Sequence, residues 1–152
     1  MDENSSENSG ITTVADRMNG EYMRTRTWPC LVYEDAPAAI EFLKSAFGFV
    51  IGELHEAEGG EIAHAELLWP EGGGVMLGTA GLGDSPFANR KTGNDAVYVV
   101  CSDPDALLER ARAAGAEVFM EPRDTDYGSR DVGIRDPEGN LWDFGTYPGS
   151  SL

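Results

Sequence analysis

The sequence predicts an α+β domain made of two tandem βαβββ modules whose mixed sheets curve into a cup. Two capped amphipathic helices each follow one apolar strand and precede three more, and this order recurs after about 67 residues. A chain of 152 residues with 41% hydrophobic side chains also suffices for one packed core. Because one helix covers only one face of a sheet, the open faces are expected to line a shared ligand cavity; an ordinary filled sandwich fits the same pattern.

Module one is predicted to occupy residues 26–79. Its helix begins after Asp35, a residue type that caps helix N-termini, and ends at Gly48, a residue type common just past helix ends. Between these residues the apolar side chains recur at spacings of three and four, as on the buried face of a helix. The predicted strands are Trp28–Tyr33, Phe49–Glu56, Ile62–Trp69 and Val75–Gly78.

Module two is predicted at residues 95–148, after a polar, glycine-containing linker at residues 80–94. Ser102 or Asp103 is expected to cap its helix, and Gly115 to end it. The predicted strands are Ala96–Cys101, Glu117–Glu121, Asp131–Arg135 and Leu141–Tyr147. The repeated order of strand, capped helix and three strands indicates a tandem duplication.

The charge balance narrows the range of partners. With 11 basic and 27 acidic residues the chain has a formal net charge of −16, which repels nucleic-acid phosphates and anionic lipid surfaces. We therefore predict no nucleic-acid or membrane partner. Residues 1–25 are polar and acidic without apolar periodicity, which predicts a disordered leader and no secretion signal. A cytoplasmic location follows, in which Cys30 and Cys101 are expected to be buried free thiols.

Five local motifs, in their order along the chain, resemble one protein family. They are the segments 32–42 (VYEDAPAAIEF), 46–49 (AFGF), 64–67 (HAEL), 124–130 (DTDYGSR) and 136–144 (DPEGNLWDF). Together they resemble the vicinal oxygen chelate superfamily of glyoxalases, bleomycin-resistance proteins and dioxygenases. The fourth segment is similar to a bacterial branch grouped with bleomycin-resistance proteins. The resemblance implies a small-molecule ligand and a homodimer.

Family members that bind a metal use four ligands, mostly His and Glu. The resemblance places these positions at Trp28, Glu66, Ala96 or its neighbour Val97, and Asp143. Only Glu66 and Asp143 carry side chains that bind a metal ion. Two carboxylates are too few for a tight transition-metal site, which needs at least three protein ligands and favours imidazole. The sequence therefore predicts no metal cofactor.

An alternative hypothesis keeps a divalent metal. His64 precedes Glu66 by two residues, so both side chains project from the same face of a strand. With Asp143 they would form a facial triad of a metal-dependent glyoxalase-like lyase, isomerase or dioxygenase. Glu66 or Asp143 would then be the catalytic proton carrier. The competing interpretation is a hydrogen bond between His64 and Glu66 with no ion.

The favoured hypothesis is metal-independent binding or sequestration of a small molecule, of the bleomycin-resistance type. Its candidate ligand-binding residues are Trp28, His64, Glu66, Tyr98 and Asp143. Facing carboxylates resist simultaneous ionisation unless a cation joins them, and aromatic rings stack on flat or cationic molecules. The ligand is therefore expected to be aromatic or cationic. The alternative is that the rings of Trp28 and Tyr98 simply fill the cavity. These residues leave open whether any reaction is catalysed.

Overall fold

Module one folds as a four-stranded mixed sheet with one face covered by a helix. The computed structural model describes residues 25–151, so the predicted leader lies almost wholly outside the described residues. The elements are β1 (Cys30–Tyr33), α1 (Ala36–Phe42), a π-helical turn (Leu43–Phe47), β2 (Val50–Glu56), a 3₁₀ turn (Glu58–Gly60), β3 (Ile62–Leu68) and β4 (Gly74–Thr79). The strand order across this sheet, sheet one, is β1-β4-β3-β2, with β1 parallel to β4 and the other pairs antiparallel.

Module two repeats this arrangement in sheet two. Its elements are β5 (Ala96–Val100), α2 (Pro104–Ala113), β6 (Glu117–Asp124), β7 (Arg130–Arg135) and β8 (Leu141–Gly145). The strand order β5-β8-β7-β6 has its parallel pair, β5 with β8, where module one has β1 with β4. The predicted α+β class with tandem βαβββ modules is confirmed. In the part of the chain that the structure describes, no helix has the length and apolarity to cross a membrane.

Both helices begin where their capping residues predict. The carboxylates of Asp35 and Asp103 each accept a hydrogen bond of 3.1 Å from the backbone N–H three residues further on. Such a cap stabilises a helix by about 1 kcal/mol. Gly48 has a φ of 91°, the left-handed conformation that glycine adopts without strain. Because the Asp103 carboxylate accepts the bond from the N–H of Ala106, Asp103 rather than Ser102 is the cap of α2.

The end of the first helix differs from the regular helix that the spacing predicts. Residues Leu43–Phe47 form a wider π-helical turn, whose buried residues include Ala46. The turn brings the ring of Phe47 to 4.7 Å from the ring of Phe144 in module two, measured between centroids. Apolar spacing alone did not predict this turn, in which Leu43, Ala46 and Phe47 are buried.

The helix-covered faces of the two sheets share one hydrophobic core. Phe47 and Phe49 lie 5.4 and 5.7 Å from the ring of Trp142, and Trp69 lies 5.7 Å from the ring of Phe144. Trp142 and Phe144 are completely buried. Since neighbouring strand residues project to opposite faces, the residues beside these rings project from the uncovered side. Each sheet therefore keeps an open face that is turned away from the common core.

Candidate functional site

Three of the five predicted site residues lie on the open side of sheet one. Along β3, Ala65 and Leu67 are buried, whereas His64 and Glu66 are half-buried on the opposite face. The Nε2 atom of His64 lies 3.0 Å from Oε2 of Glu66, which is hydrogen-bond distance. Trp28 and Glu66 line one open cavity. The structure thus brings Trp28, His64 and Glu66 together, with the histidine and glutamate in direct contact.

The other two predicted site residues, Tyr98 and Asp143, are neighbours on the open face of sheet two. They occupy paired positions of the parallel strands β5 and β8. The Oδ1 atom of Asp143 is buried and has no hydrogen-bond partner among residues 25–151. Burial raises the pKa of the Asp143 carboxyl above its ordinary value; the charge of Asp131 adds to this rise and Arg123 opposes it. Burying a carboxylate oxygen without a partner costs free energy, and none of the described residues offsets this cost at Oδ1 of Asp143 with a hydrogen bond.

Asp131 belongs to the same site, although sequence reasoning missed it. It is 1% exposed and accepts a hydrogen bond from the hydroxyl of Ser129. Its paired position on β8 is Gly145, where a Cβ would overlap both the Asp131 carboxylate and the Tyr98 hydroxyl. Glycine is therefore required where the acid and the phenol approach each other. Alternation along β7 and β8 was the available signal, because it places Asp131 on the same face as Asp143.

Three tyrosines border the two acids, and we call Tyr98, Tyr127, Tyr147, Asp131 and Asp143 the tyrosine–acid cluster. The Tyr98 hydroxyl donates to the carbonyl of Tyr147 at 2.7 Å, and the rings of Tyr127 and Tyr147 meet edge to face at 5.7 Å. Burial raises the pKa of the Tyr98 phenol, and the charges of Asp131 and Asp143 add to the rise. This hydroxyl therefore remains a protonated donor at neutral pH. Tyr127 lies in a turn, where no periodicity predicts a face, whereas Tyr147 was predicted as the last residue of a strand that the structure ends at Gly145.

The alternative metal triad does not assemble within one chain. His64 and Glu66 belong to sheet one and Asp143 belongs to sheet two, and these sheets meet through their helix-covered faces. Across residues 25–151, no three His, Cys, Asp or Glu side chains are grouped so as to hold a metal ion. The order of the strands was predicted correctly, although β1 begins at Cys30 rather than Trp28 and β8 ends at Gly145 rather than Tyr147. Strand patterns do not reveal which faces of two sheets meet.

A further pocket, which we call the linker pocket, lies between the open face of sheet one and the inter-module linker. Its walls include Cys30, Val32, Met76, Leu82, Phe87 and Arg90. Cys30 is exposed there, so the prediction of a buried thiol was wrong for this residue, whereas Cys101 is buried as predicted. The reason is that Cys30 projects from the face of β1 that no helix covers. Sequence reasoning interpreted the linker only as a connection and missed its apolar side chains.

The match to a family model shows which superfamily this chain belongs to. The model of the glyoxalase/bleomycin resistance protein/dioxygenase superfamily matches residues 25–144, which include both modules. The chain belongs to this superfamily. The family resemblance noted from the sequence motifs is thereby confirmed, and the paired sheets are the superfamily's tandem modules.

Three similar proteins differ in their sequence identity to this chain and in the share of it that they cover. An uncharacterized protein of Mycobacterium bovis is 30% identical over 131 residues, which are 77% of this chain and 80% of that protein. The crystal structure of TioX from Micromonospora sp. ML1 is similar with a TM-score of 0.66 and 32% identity, covering 78% of this chain and 97% of TioX. FosX, a fosfomycin resistance protein of Listeria monocytogenes solved with Mn(II) and sulfate, has a TM-score of 0.53 and 18% identity over 84% of this chain and 93% of its own. The similarity to FosX shows a shared fold alone.

Proposed function

We propose that the protein binds and sequesters a flat, positively charged organic molecule without a metal ion, as the resemblance to bleomycin-resistance proteins implies. The observation that carries this proposal is the Oδ1 atom of Asp143, a buried acceptor without a partner among the described residues. An ammonium or guanidinium group of a ligand would donate to this oxygen and neutralise its charge.

The electrostatics of the tyrosine–acid cluster favour a cation. Asp131 and Asp143 repel each other enough for Asp131 to contribute to the raised pKa of Asp143, and Arg123 is the positive residue that counteracts this effect. A ligand cation at Asp143 would bring that pKa back towards its ordinary value, and this change contributes favourable binding free energy. The net charge of −16 also raises the local concentration of cationic molecules around the protein.

The tyrosines of the cluster supply flat walls for the rest of the ligand. Tyr98, Tyr127 and Tyr147 are 42%, 61% and 41% exposed, so their rings remain accessible for stacking. A cation over such a ring gains about 0.5–2 kcal/mol, more as the site is desolvated. Charge recognition by the acids and stacking on the rings therefore select the same ligand class.

We also propose a homodimer, in which sheet one of one copy covers the open face of sheet two of the other. The open faces expose the apolar side chains of Leu68, Val100 and Phe119, each about two-fifths exposed. Such a dimer would join the two groups of predicted site residues in one cavity. Sedimentation velocity should give the mass of a dimer at micromolar concentration. A monomer under these conditions would contradict this arrangement.

The ligand class is tested with two planar probes that differ mainly in charge. At pH 7.5, 9-aminoacridine is a cation, whereas acridine is neutral. Fluorescence titration should show tighter binding of 9-aminoacridine, and Asp143→Asn should weaken that binding about tenfold. The matched control Asp84→Asn removes the same charge at an exposed linker position and should leave the affinity unchanged. Equal affinities for the two probes, or an unaffected Asp143→Asn variant, would reject the proposal.

The same titration tests independence from metal ions. Binding of 9-aminoacridine should be the same in EDTA and in buffer with added Mn²⁺. Loss of binding in EDTA, restoration by Mn²⁺ and abolition by His64→Ala would instead support the metal-dependent alternative.

A further inference from the structure

The linker pocket is an ordered cavity. Its volume is about 270 Å³, slightly below the usual range for drug-sized ligand sites. The linker is held in shape by its own hydrogen bonds: the N–H of Gly81 donates to the carbonyl of Ala88 at 2.7 Å, and the Asn89 amide donates to the carbonyls of Gly83 and Ser85 at 3.0 and 2.9 Å. These contacts fix one wall of the pocket against sheet one.

The charge of the linker pocket is opposite to that of the whole molecule. Although the chain has 27 acidic residues, no carboxylate side chain lines this pocket, and its one permanently charged wall residue is Arg90. The Arg90 guanidinium donates from Nη2 to the carbonyl of Cys30 at 2.7 Å and from Nε to the carbonyl of Phe87 at 3.0 Å. Within residues 25–151 no carboxylate lies within ion-pair distance of it. Its Nη1 atom therefore keeps donors for a ligand.

Most of the remaining walls are apolar, and His64, Thr79 and Ser85 are the polar wall residues besides Arg90. Val32 and Met76 form the floor on sheet one, and Leu82 and Phe87 contribute the linker side. Phe87 is 73% exposed, so most of its ring is available to a ligand. A ligand body in this pocket would cover the phenylalanine ring and bury apolar surface at about 25 cal/mol per Å².

We propose that the linker pocket binds an organic acid with an apolar body and a single carboxylate, which pairs with the guanidinium of Arg90. Within one chain the pocket shares no wall residue with the tyrosine–acid cluster and has the opposite charge preference; of the five candidate ligand-binding residues only His64 lines it. It therefore goes beyond the proposed function. A planar guanidinium held by two backbone carbonyls is oriented in advance for a carboxylate, so little conformational entropy is lost on binding.

Three eight-carbon probes of equal chain length test this site by calorimetric titration: octanoate, octan-1-ol and octylamine. In the Asp143→Asn variant, which lacks the proposed cation site, octanoate should bind tightest and octylamine weakest, because Arg90 attracts the carboxylate and repels the ammonium group. Arg90→Gln should weaken octanoate binding roughly 5- to 20-fold and leave the octan-1-ol affinity unchanged, which shows that the pocket is still formed. Lys91→Gln, an exposed neighbour that does not line the pocket, is the matched control and should bind octanoate like the unaltered protein.

Cys30 reports where the probe binds. This thiol lines the pocket and is exposed, whereas Cys101 is buried, so iodoacetamide should alkylate Cys30 first. Octanoate should slow that alkylation, and Phe87→Ala should reduce the protection without changing the unfolding midpoint, since the ring is largely exposed.

Three results would overturn the proposal. They are equal octanoate affinity in Arg90→Gln, no protection of Cys30 at saturating octanoate, or a Cys30 that is unreactive before any probe is added because another copy of the chain fills the pocket. Asp143→Asn should leave octanoate binding intact, so failure of this site and failure of the cation site are distinguishable.

Discussion

At the scale of single residues, Asp136 joins the two modules through its carboxylate. Oδ2 accepts hydrogen bonds from the Tyr33 hydroxyl at 2.7 Å, the Asn140 amide at 3.0 Å and the Trp142 indole at 3.1 Å. Oδ1 accepts from the backbone N–H groups of Glu138 and Asn140, both at 3.0 Å. Asp136 opens the last of the five sequence motifs, and the structure adds its bond to Tyr33 of module one; burial raises the pKa of the Tyr33 phenol far above its ordinary value.

Replacing this carboxylate should destabilise the whole chain. Asp136→Ala leaves several buried donors without an acceptor, and we expect a loss of about 3–5 kcal/mol in the free energy of unfolding. Urea denaturation followed by tryptophan fluorescence measures it. Asp84→Ala, at an exposed linker position, should change the value by less than about 0.5 kcal/mol. A loss of under about 1 kcal/mol in Asp136→Ala would show that the hydrogen bonds are dispensable.

Asp143 makes the stability depend on pH. Because its folded-state pKa is raised above the ordinary value of 3.8, its ionisation costs more in the folded than in the unfolded state. Its unfavourable contribution is absent below the ordinary value, develops as the pH rises through the raised pKa, and is fully present above it. Asp143→Asn should therefore unfold at higher urea than the parent at about pH 7.5, and the gap should close as the pH falls towards 3.8. A gap that does not vary with pH would contradict this account.

At the scale of elements, one arginine connects the two helices. Arg110 on α2 donates from Nε to the carbonyl of Ser45 and from Nη2 to the carbonyl of Lys44, both at 3.0 Å. These carbonyls lie at the C-terminal end of the first helix, where positive charge is favourable; the Lys44 carbonyl also accepts from the N–H of Gly48 at 3.0 Å. The guanidinium also lies against Gly48, where a Cβ would be only 2.9 Å from Arg110 Nη1. Because Gly48 has no Cβ, the Arg110 side chain of α2 can lie against the end of the first helix.

Two arginines on the same helix provide a matched comparison. Arg110→Ala removes two charged hydrogen bonds to backbone carbonyls and should lower the free energy of unfolding by about 1–3 kcal/mol. Arg112→Ala removes an exposed ion pair with Glu121 and should cost less than about 1 kcal/mol. Thermal unfolding of both variants measures the difference. Equal losses would mean that the contact between the helices contributes little.

At the scale of the whole molecule, the net charge of −16 sets the response to salt. Like charges repel more strongly in the compact state than in the unfolded chain, and salt screens this repulsion. Raising NaCl from about 20 to about 500 mM should increase the unfolding midpoint by about 2–4 °C, and KCl should act equally. A midpoint that is constant or falls with salt would show that attractive ion pairs outweigh the repulsion.

Properties that depend on neighbouring residues could be predicted from the sequence, whereas properties that depend on contacts between distant residues could not. The Asp35 cap, Gly48 at the end of the first helix and the strand order follow from short-range patterns and are confirmed, and the structure selects Asp103 from the two predicted caps of α2. Alternation also placed His64 and Glu66 on a common face, whereas the pairing of Tyr98 with Asp143 came from the structure. Alternation did not predict where Tyr127 lies, because this residue is in a turn.

Local patterns predict the strand order, the helix caps and the duplication, because backbone conformation and apolar periodicity depend on neighbouring residues, and the resemblance of five motifs indicated the family. Only the tertiary structure decided that the two helix-covered faces pack together, which separates Glu66 from Asp143 and leaves Arg90 over a pocket without acids. The physical reason is that a strand's pattern specifies which side chains are apolar but not which other surface covers them. That choice is made by the fit of the aromatic rings in the shared core.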